Sequence, residues 1–550
     1  VERAGNLIQY KTPPVVSSEL IPANKDYLSR CTMKKIIEEL REAKAKAALG
    51  GGEEKIAKIH ARGKLTARER IDLLLDPGSF NEFNILIKHR LGAAGDGIVT
   101  GHGTIDGRVV CVFAHDTTVF GGSMGYMHGR KMYKIHEMAL DMGVPIIGLN
   151  DSPGARVIRP DMAGSDDPSR VSDEKHAGVV FFINTKCSGA VPQISAILGN
   201  CTGATVYSPA LTDFIFMVDG LSRMFITGPN VIKSVTREEI SMEELGGSNV
   251  HCKITGVADF RVNSEQECMH GIKRLLSFLP SNWRESPPKR NCEDDPERLI
   301  PSLEEIVPAE QKRGYDMQKV IRALADNGDF LEVKPEFAGE IIIGFARLNG
   351  HTVGIVANQP MVLAGCMTVN SSDKQARFIR FCDAFKIPII LLVDTPGYLP
   401  GRAQEHAGII RHGAKVLYAL SEASVPKMAI LLRKVYGGAA LGMGILPGFG
   451  TDLIYAWPIA EIGPMGAEQA VALFYDKDIK AADNPEEFRA AKIKEYARHY
   501  ADSLSLASEV TYVQDIIEPK ETRRFLTRSL RLLENKKINK VRKRHGNIPM

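Results

Sequence analysis

A shift of 243 residues lays one stretch of this 550-residue chain over another: Gly107 on Gly350, Ala114 on Ala357, Gly122 on Gly365, Met124 on Met367, Lys131 on Lys374, Pro145 on Pro388, Asp151 on Asp394 and Gly154 on Gly397. The matches need no gap, and the spacing is far longer than the roughly 20–50 residues of a stacked solenoid repeat. The chain is therefore expected to fold as two copies of one domain. Within each copy, apolar runs such as Val144–Leu149 and Ile387–Val393 end in Asp-Ser-Pro-Gly or Asp-Thr-Pro-Gly and alternate with helical patterns. That order predicts an α/β domain that binds its ligands at the carboxyl ends of strands.

A second repeated segment follows in each copy. Val191–Ala204 (VPQISAILGNCTGA) resembles Val425–Ala439 (VPKMAILLRKVYGGA), with Pro192 matching Pro426 at an offset of 234 and Gly203-Ala204 matching Gly438-Ala439 at 235. Each reads as a buried strand delivered into a tight turn whose small residues leave backbone N–H groups unshielded. Such a turn is an oxyanion hole, and the chain is expected to carry two. A single donor in such a hole is worth about 100–1,000-fold in rate.

The chain in order supports this division. Residues 1–30, with Pro13-Pro14 and Pro22, form an N-terminal arm. Met33–Leu49 and the helix opened by the Thr66/Glu69 capping pair are expected to pack on the first domain. Asp106-Gly107 marks a hairpin, Arg130–Met142 a helix, and Met317–Ala325 the first helix of the second copy. The five prolines of Leu279–Pro301 mark the linker. The expected domains are 31–285, a linker over 286–301, and 302–550, the last ending in helices near Lys492–Tyr500 and Glu521–Asn535 and a solvated basic tail over Lys536–Arg544. A net charge of +4 gives no argument for nucleic acid, and no apolar run is long enough for a membrane span. Nine scattered cysteines read as reduced core residues. With no apolar signal segment after Val1, a cytoplasmic protein is expected, or a mitochondrial-matrix one after removal of a transit peptide.

No phosphate loop, zinc-protease helix, serine-hydrolase elbow or dinucleotide fingerprint is present, and no Ala-Met-Lys-Met biotinylation sequence. The remaining motifs are VDTPGYLPG (393–401), GIIRHGAK (408–415), RKVYGGA (433–439), YAWP (455–458), YSPALTDFIFM (207–217) and RHGNIP (544–549). In these the chain resembles, from about residue 33 to Met550, the carboxyltransferase β subunits of biotin-dependent acyl-CoA carboxylases, the propionyl-CoA carboxylase branch most of all.

The resemblance implies two tandem crotonase-like (ClpP/crotonase) domains, acyl-CoA held by the first and biotin by the second. It also implies a homohexamer of stacked dimers served by a biotin carboxylase and a biotin carboxyl carrier protein, or by a fused α subunit, with biotin carried on that other subunit and no metal in this chain. The implied reaction moves a carboxyl group from carboxybiotin to the α-carbon of propionyl-CoA or acetyl-CoA. Gly203 and Ala204 would donate to the thioester oxygen, and Gly438 and Ala439, with Gly437 beside them, to the ureido oxygen of biotin. Ser152, Gly154, Ala155 and Leu441 would line the acyl-CoA site.

The chain departs from the family pattern at Pro153, at Ala204, in the polar stretch 156–173, and at Ala440-Leu441 where Tyr-Asp is usual. The same motifs fit a biotin-dependent decarboxylase or transcarboxylase subunit, and Pro153 and Ala204 also motivate a non-catalytic, regulatory subunit. Among other side chains, His115 and Asp116 read as loop-stabilising, Lys131 and Lys374 as placed to meet anionic ligand groups, Asp151 and Asp394 as turn caps, and Cys187 and Cys201 as small core residues.

Overall fold

The structure, a computed structural model, describes residues 32–88, 93–156, 169–500, 512–537 and 543–550. The arm over 1–30, most of the 156–173 stretch and the centre of the basic tail lie outside the described residues.

Two eight-stranded sheets follow one plan. In the first, β1 (Asn81–Phe83), β2 (Ile98–Ile105) and β3 (Arg108–His115) pair antiparallel. From β3 the sheet continues in parallel through β4 (Ile146–Ser152), β5 (Gln193–Thr202), β6 (Phe214–Val218) and β8 (Phe260–Val262), while β7 (Arg223–Phe225) pairs the far end of β5. The second sheet repeats each step with β9 (Phe330–Val333), β10 (Ile341–Leu348), β11 (His351–Asn358), β12 (Ile389–Thr395), β13 (Lys427–Tyr436), β14 (Leu453–Ala456), β15 (Glu461–Gly463) and β16 (Asp515–Ile516). The duplication read from spacing is a duplication of topology.

Local chemistry explains the matching elements. Asp106-Gly107 (φ 50° and 76°) and Asn349-Gly350 (φ 50° and 77°) make the left-handed two-residue turns that the twist of antiparallel hairpins demands. One carboxylate anchors each turn: Asp76 accepts from the N–H groups of Asp106 (3.0 Å) and Gly107 (2.9 Å), Asp326 from those of Asn349 (2.9 Å) and Gly350 (2.7 Å). Thr66 caps the helix Ala67–Leu74, with Glu69 completing the capping box, and Asp316 caps the equivalent Met317–Leu324. Strands β4, β5, β12 and β13 are buried over nearly their whole length, as parallel strands covered on both faces must be.

The two copies share one core. Phe214 of β6 meets Phe381, on the helix Val369–Ala384, with centroids 4.7 Å apart, and Phe345 of β10 at 6.0 Å; Phe278 lies 6.0 Å from Phe345. Hydrogen bonds seal the edge of this contact: Arg377 donates to the Thr212 carbonyl (2.6 Å) and Arg347 to that of Ser277 (2.8 Å).

Two expectations need correcting. The helix Met33–Ala48 does not bury its apolar face on the first domain: only Ala47 is buried, and Met33, Ile37 and Leu40 are exposed. Its attachment to the body comes one turn later, where the Gly51 N–H donates to Thr118 Oγ1 (2.9 Å) and a Cβ on Gly51 would run into the Thr118 backbone. The offset at the turns is also 234, not 235: β5 and β13 match end to end at 234, and the glycines that enter the left-handed region just after them are Gly203 (φ 59°) and Gly437 (φ 56°). Ala204 thus corresponds to Gly438. The consecutive glycines Gly437-Gly438 offer Gly203 a glycine partner in either register, and backbone conformation decides between them.

Candidate active site

Each turn forms where two neighbouring strands end. At the end of β4, Met124 and Ala155 form a parallel bridge, with the Met124 N–H donating to the Gly154 carbonyl (2.9 Å) and the Arg156 N–H to that of Met124 (2.8 Å). Met367 and Tyr398 repeat it through Gly397 and Leu399 (3.1 and 2.8 Å). The β5 turn packs directly on this loop: Thr202 Oγ1 donates to the Pro153 carbonyl (2.7 Å), and a Cβ on Gly154, itself at φ 108°, would stand 2.8 Å from the Thr202 carbonyl. Glycine at 154 is what lets the two strand ends touch. Structure thus brings Ser152, Gly154, Ala155, Gly203 and Ala204 together at the carboxyl ends of the central strands β4 and β5.

Arg156 holds that loop to the rest of the domain. Its guanidinium pairs with the fully buried Asp96 (2.5 Å), donates to the Ser123 carbonyl (2.9 Å) and lies 4.3 Å over the Phe120 ring. Asp96 also accepts from the His128 N–H (2.8 Å) in the first turn of the helix Tyr126–Met142. Pro153, exposed, fits this loop without disturbing either bridge bond.

In the second copy the helix Gly437–Gly442 begins at the turn, so its first N–H groups point away from the helix body, the geometry that favours negative charge. Among the described residues no backbone acceptor is found for the N–H groups of Ala204 or Gly438. Gly438 is exposed, Gly437 half-buried, and Ala439 wholly buried with its methyl in the core. Leu441 is half-buried and packs against that same core.

Tyr398, which sequence reasoning passed over, forms a wall here. A Cβ on Gly438 would lie 3.7 Å from its ring, and burial pushes its hydroxyl up to about 12. The position corresponds to Ala155 in the first copy, so the second hole has an aromatic side where the first has a methyl. The Tyr within VDTPGYLPG, aligned against Ala155, was the available signal.

Lys131 and Lys374 do not face a ligand. Both are buried inside the fold, Lys131 donating to the Ile98 carbonyl (2.6 Å) and Lys374 to those of Phe337 (2.7 Å) and Ile341 (2.8 Å). Burial pulls their pKa values down to about 8 and about 7. Cys201 is buried as expected, its thiol pushed up to about 12. No group of three or more metal-ligating side chains occurs among the described residues. A 520 Å³ cavity lies between the two copies, lined by Asp213, Lys334, Arg377 and Phe381 among others, and none of the turn residues lines it.

Two α/β copies each end a central strand in a turn of glycine and alanine entered at positive φ. Residues 58–548 match the carboxyl transferase domain family, and the chain belongs to that family. It is 49% identical over 527 residues to a propionyl-CoA carboxylase carboxyltransferase subunit of Haloferax mediterranei, covering 94% of this chain and all of that protein. It is 48% identical, with the same coverage, to a methylmalonyl-CoA decarboxylase subunit alpha of Veillonella parvula. A solved transcarboxylase 12S, described as a hexamer assembly with methylmalonyl-coenzyme A and methylmalonic acid bound, superposes with a TM-score of 0.89 at 45% identity, over 94% of this chain and 99% of that one. The resemblance read from the motifs therefore holds, as does the expected fold. No helix among the described residues is long and apolar enough to cross a membrane.

Proposed function

We propose that the chain transfers a carboxyl group between carboxybiotin, on a carrier protein, and the α-carbon of a short-chain acyl-CoA, propionyl-CoA or acetyl-CoA. The observation that carries this is the pair of equivalent turns, Gly203-Ala204 and Gly437-Gly438-Ala439, entered at the same positive φ from equivalent strands. The first suits a thioester oxygen: N–H donors preorganised where charge develops lower the barrier to forming the enolate. Ser152, Gly154, Ala155 and Leu441 are assigned to the acyl-CoA.

The second turn fits a flat ureido ring. Gly438 is exposed and lacks a side chain, and the ring of Tyr398 bounds the space a Cβ would enter. When bound, the carrier's biotin supplies the carboxyl group and the base for the α-proton. This chain's own groups hold the oxygens, orient the thioester and exclude water. The partners assigned are a biotin carboxylase and a biotin carboxyl carrier protein, or a fused α subunit, with the chain itself in a homohexamer of stacked dimers. The division into 31–285 and 302–550, joined by 286–301, is part of the same reading.

The near-equal identity to a carboxylase and a decarboxylase subunit supports a second reading in which the same half-reaction runs from carboxylated thioester to biotin. One experiment tests the shared chemistry: the purified chain is incubated with methylmalonyl-CoA or malonyl-CoA, with and without free biotin. Biotin-dependent loss of the carboxylated thioester is expected. No loss with either thioester from a hexameric sample overturns the reading.

A further inference from the structure

The chain builds one electrostatic joint twice from different parts. β4 pairs β5 in register as far as Asn150 opposite Ile197 and resumes at Ser152 opposite Cys201, so Asp151 alone faces the three residues 198–200. β12 and β13 do the same, from Val393 opposite Leu431 to Thr395 opposite Val435, with Asp394 facing 432–434. These bulges come immediately before the turns that end in Gly203 and Gly437, and a bulge sets the direction in which a strand leaves its sheet.

In both copies the aspartate fills the bulge. Asp394, fully buried, accepts from the Lys434 N–H (3.2 Å) and from Arg433 Nε (2.9 Å), while Arg433 Nη1 reaches the carbonyls of Glu310 (2.9 Å) and Arg313 (2.8 Å). The position equivalent to Arg433 in the first copy is Gly199, and a Cβ there would overlap the Asp151 carboxylate and stand 2.6 Å from Lys64 Nζ. Positive charge arrives instead from outside the sheet: Lys64 pairs with Asp151, and Arg70, on the helix Ala67–Leu74, donates to Asp151 Oδ2 (3.2 Å) and to the Leu198 carbonyl inside the bulge (2.8 Å). In the second copy the residue at the place of Arg70 is Val320. The cation has moved from helix to strand and the carboxylate has stayed.

We propose that Asp151 and Asp394 are positioning residues, one for each donor turn, whose ion pairs fix the bulges and so aim the N–H groups of Gly203-Ala204 and of Gly437-Gly438-Ala439. Neither carboxylate faces a ligand; each acts through the strand that carries the donors. The inference rests on the function proposed above, and it makes each joint govern its own half of the reaction.

The test uses the assembled protein and a thioester that is already anionic, the nitronate of 2-nitropropionyl-CoA, measured by equilibrium binding beside propionyl-CoA and without biotin. Lys64→Met leaves Arg70 on Asp151, and Arg433→Lys keeps one positive charge on Asp394, so both are milder than removing either carboxylate. Lys64→Met is expected to weaken nitronate binding about tenfold, short of the roughly 100–1,000-fold of a donor removed outright because the N–H groups are re-aimed and not lost, with propionyl-CoA affinity within about twofold of wild type. Arg433→Lys is expected to bind both thioesters as wild type does while its biotin-dependent turnover falls about tenfold. Asp151→Asn should exceed Lys64→Met in the same direction. Wild-type nitronate preference in Lys64→Met, or equal loss of it in Arg433→Lys, overturns the inference. A wild-type protein that fails to prefer the nitronate or lacks biotin-dependent turnover refutes the underlying reading instead.

Discussion

Lowering the pH should open the first copy before the second, because among the described residues only the first buries imidazoles. His115, His128 and His136 are all essentially inaccessible, and at the equivalent places the second copy has Asn358, Ser371 and Ile379. Burial pushes His115 and His136 down to about 4 and His128 well below its ordinary value. For His136 the geometry gives the reason: Nδ1 donates to the Met132 carbonyl (2.7 Å) and Nε2 accepts from Asn184 Nδ2 (3.2 Å), so a second ring proton would face a donor. A pKa lowered on folding means that between about 4 and 6.5 the unfolded chain binds more protons, so stability is full above about 6.5 and falls as pH drops towards 4. At pH 5 each of His115 and His136 removes about 2 kcal/mol, about 4 kcal/mol together, a large share of the stability of a domain. Hydrogen exchange read by mass spectrometry should show peptides from 98–115 and 126–152 losing protection at a higher pH than those from 341–358 and 369–395. His136→Gln, which cannot titrate, should move the first transition to lower pH. Simultaneous loss in both copies, or an unchanged midpoint in His136→Gln, would refute the argument.

Gly438→Val keeps the backbone N–H but fills the space beside the Tyr398 ring proposed for the ureido group, and should reduce biotin-dependent loss of the carboxylated thioester by more than about 100-fold, as much as losing a donor outright, while a coenzyme A titration stays near wild type. Lys374, held near pH 7 by burial, costs the fold stability when protonated, so stability should rise with pH from about 7 to about 10. In Lys374→Met, urea unfolding across that range should lose up to about 1.4 kcal/mol per pH unit of slope. Alkylation of the native protein at pH 7.5 should mark half-exposed Cys292 and Cys366 among the described cysteines; Cys111, Cys187, Cys201 and Cys252, pushed up to about 12, should appear only after denaturation. Modification of Cys201 with loss of activity would contradict its assignment to the core.

What could be read without the structure followed from local rules. The hairpin at Asp106-Gly107 needed only turn chemistry, the buried strands only unbroken apolar runs, and the two copies, with Gly350 laid on Gly107, only arithmetic on residue numbers. What escaped depends on contacts distant in sequence. Nothing near Asp151 announces that Arg70 and Lys64 will neutralise it, and Gly199 resembles any strand glycine until the carboxylate beside it is seen. Lys131 and Lys374 sit at helix positions where lysine is usually solvated, and only the carbonyls that receive them show otherwise.

The phenylalanines that meet at the seam between the copies decide what can travel. A hinge between the sheets would have to pull Phe381 off Phe214 and Phe345 off Phe278, opening a gap in a close-packed interior. The two turns are therefore fixed stations on one rigid frame. On the function proposed above, delivery of the carboxyl group then falls to the carrier's tether, whose length and slack, not any flexing of this body, set how often a loaded group arrives.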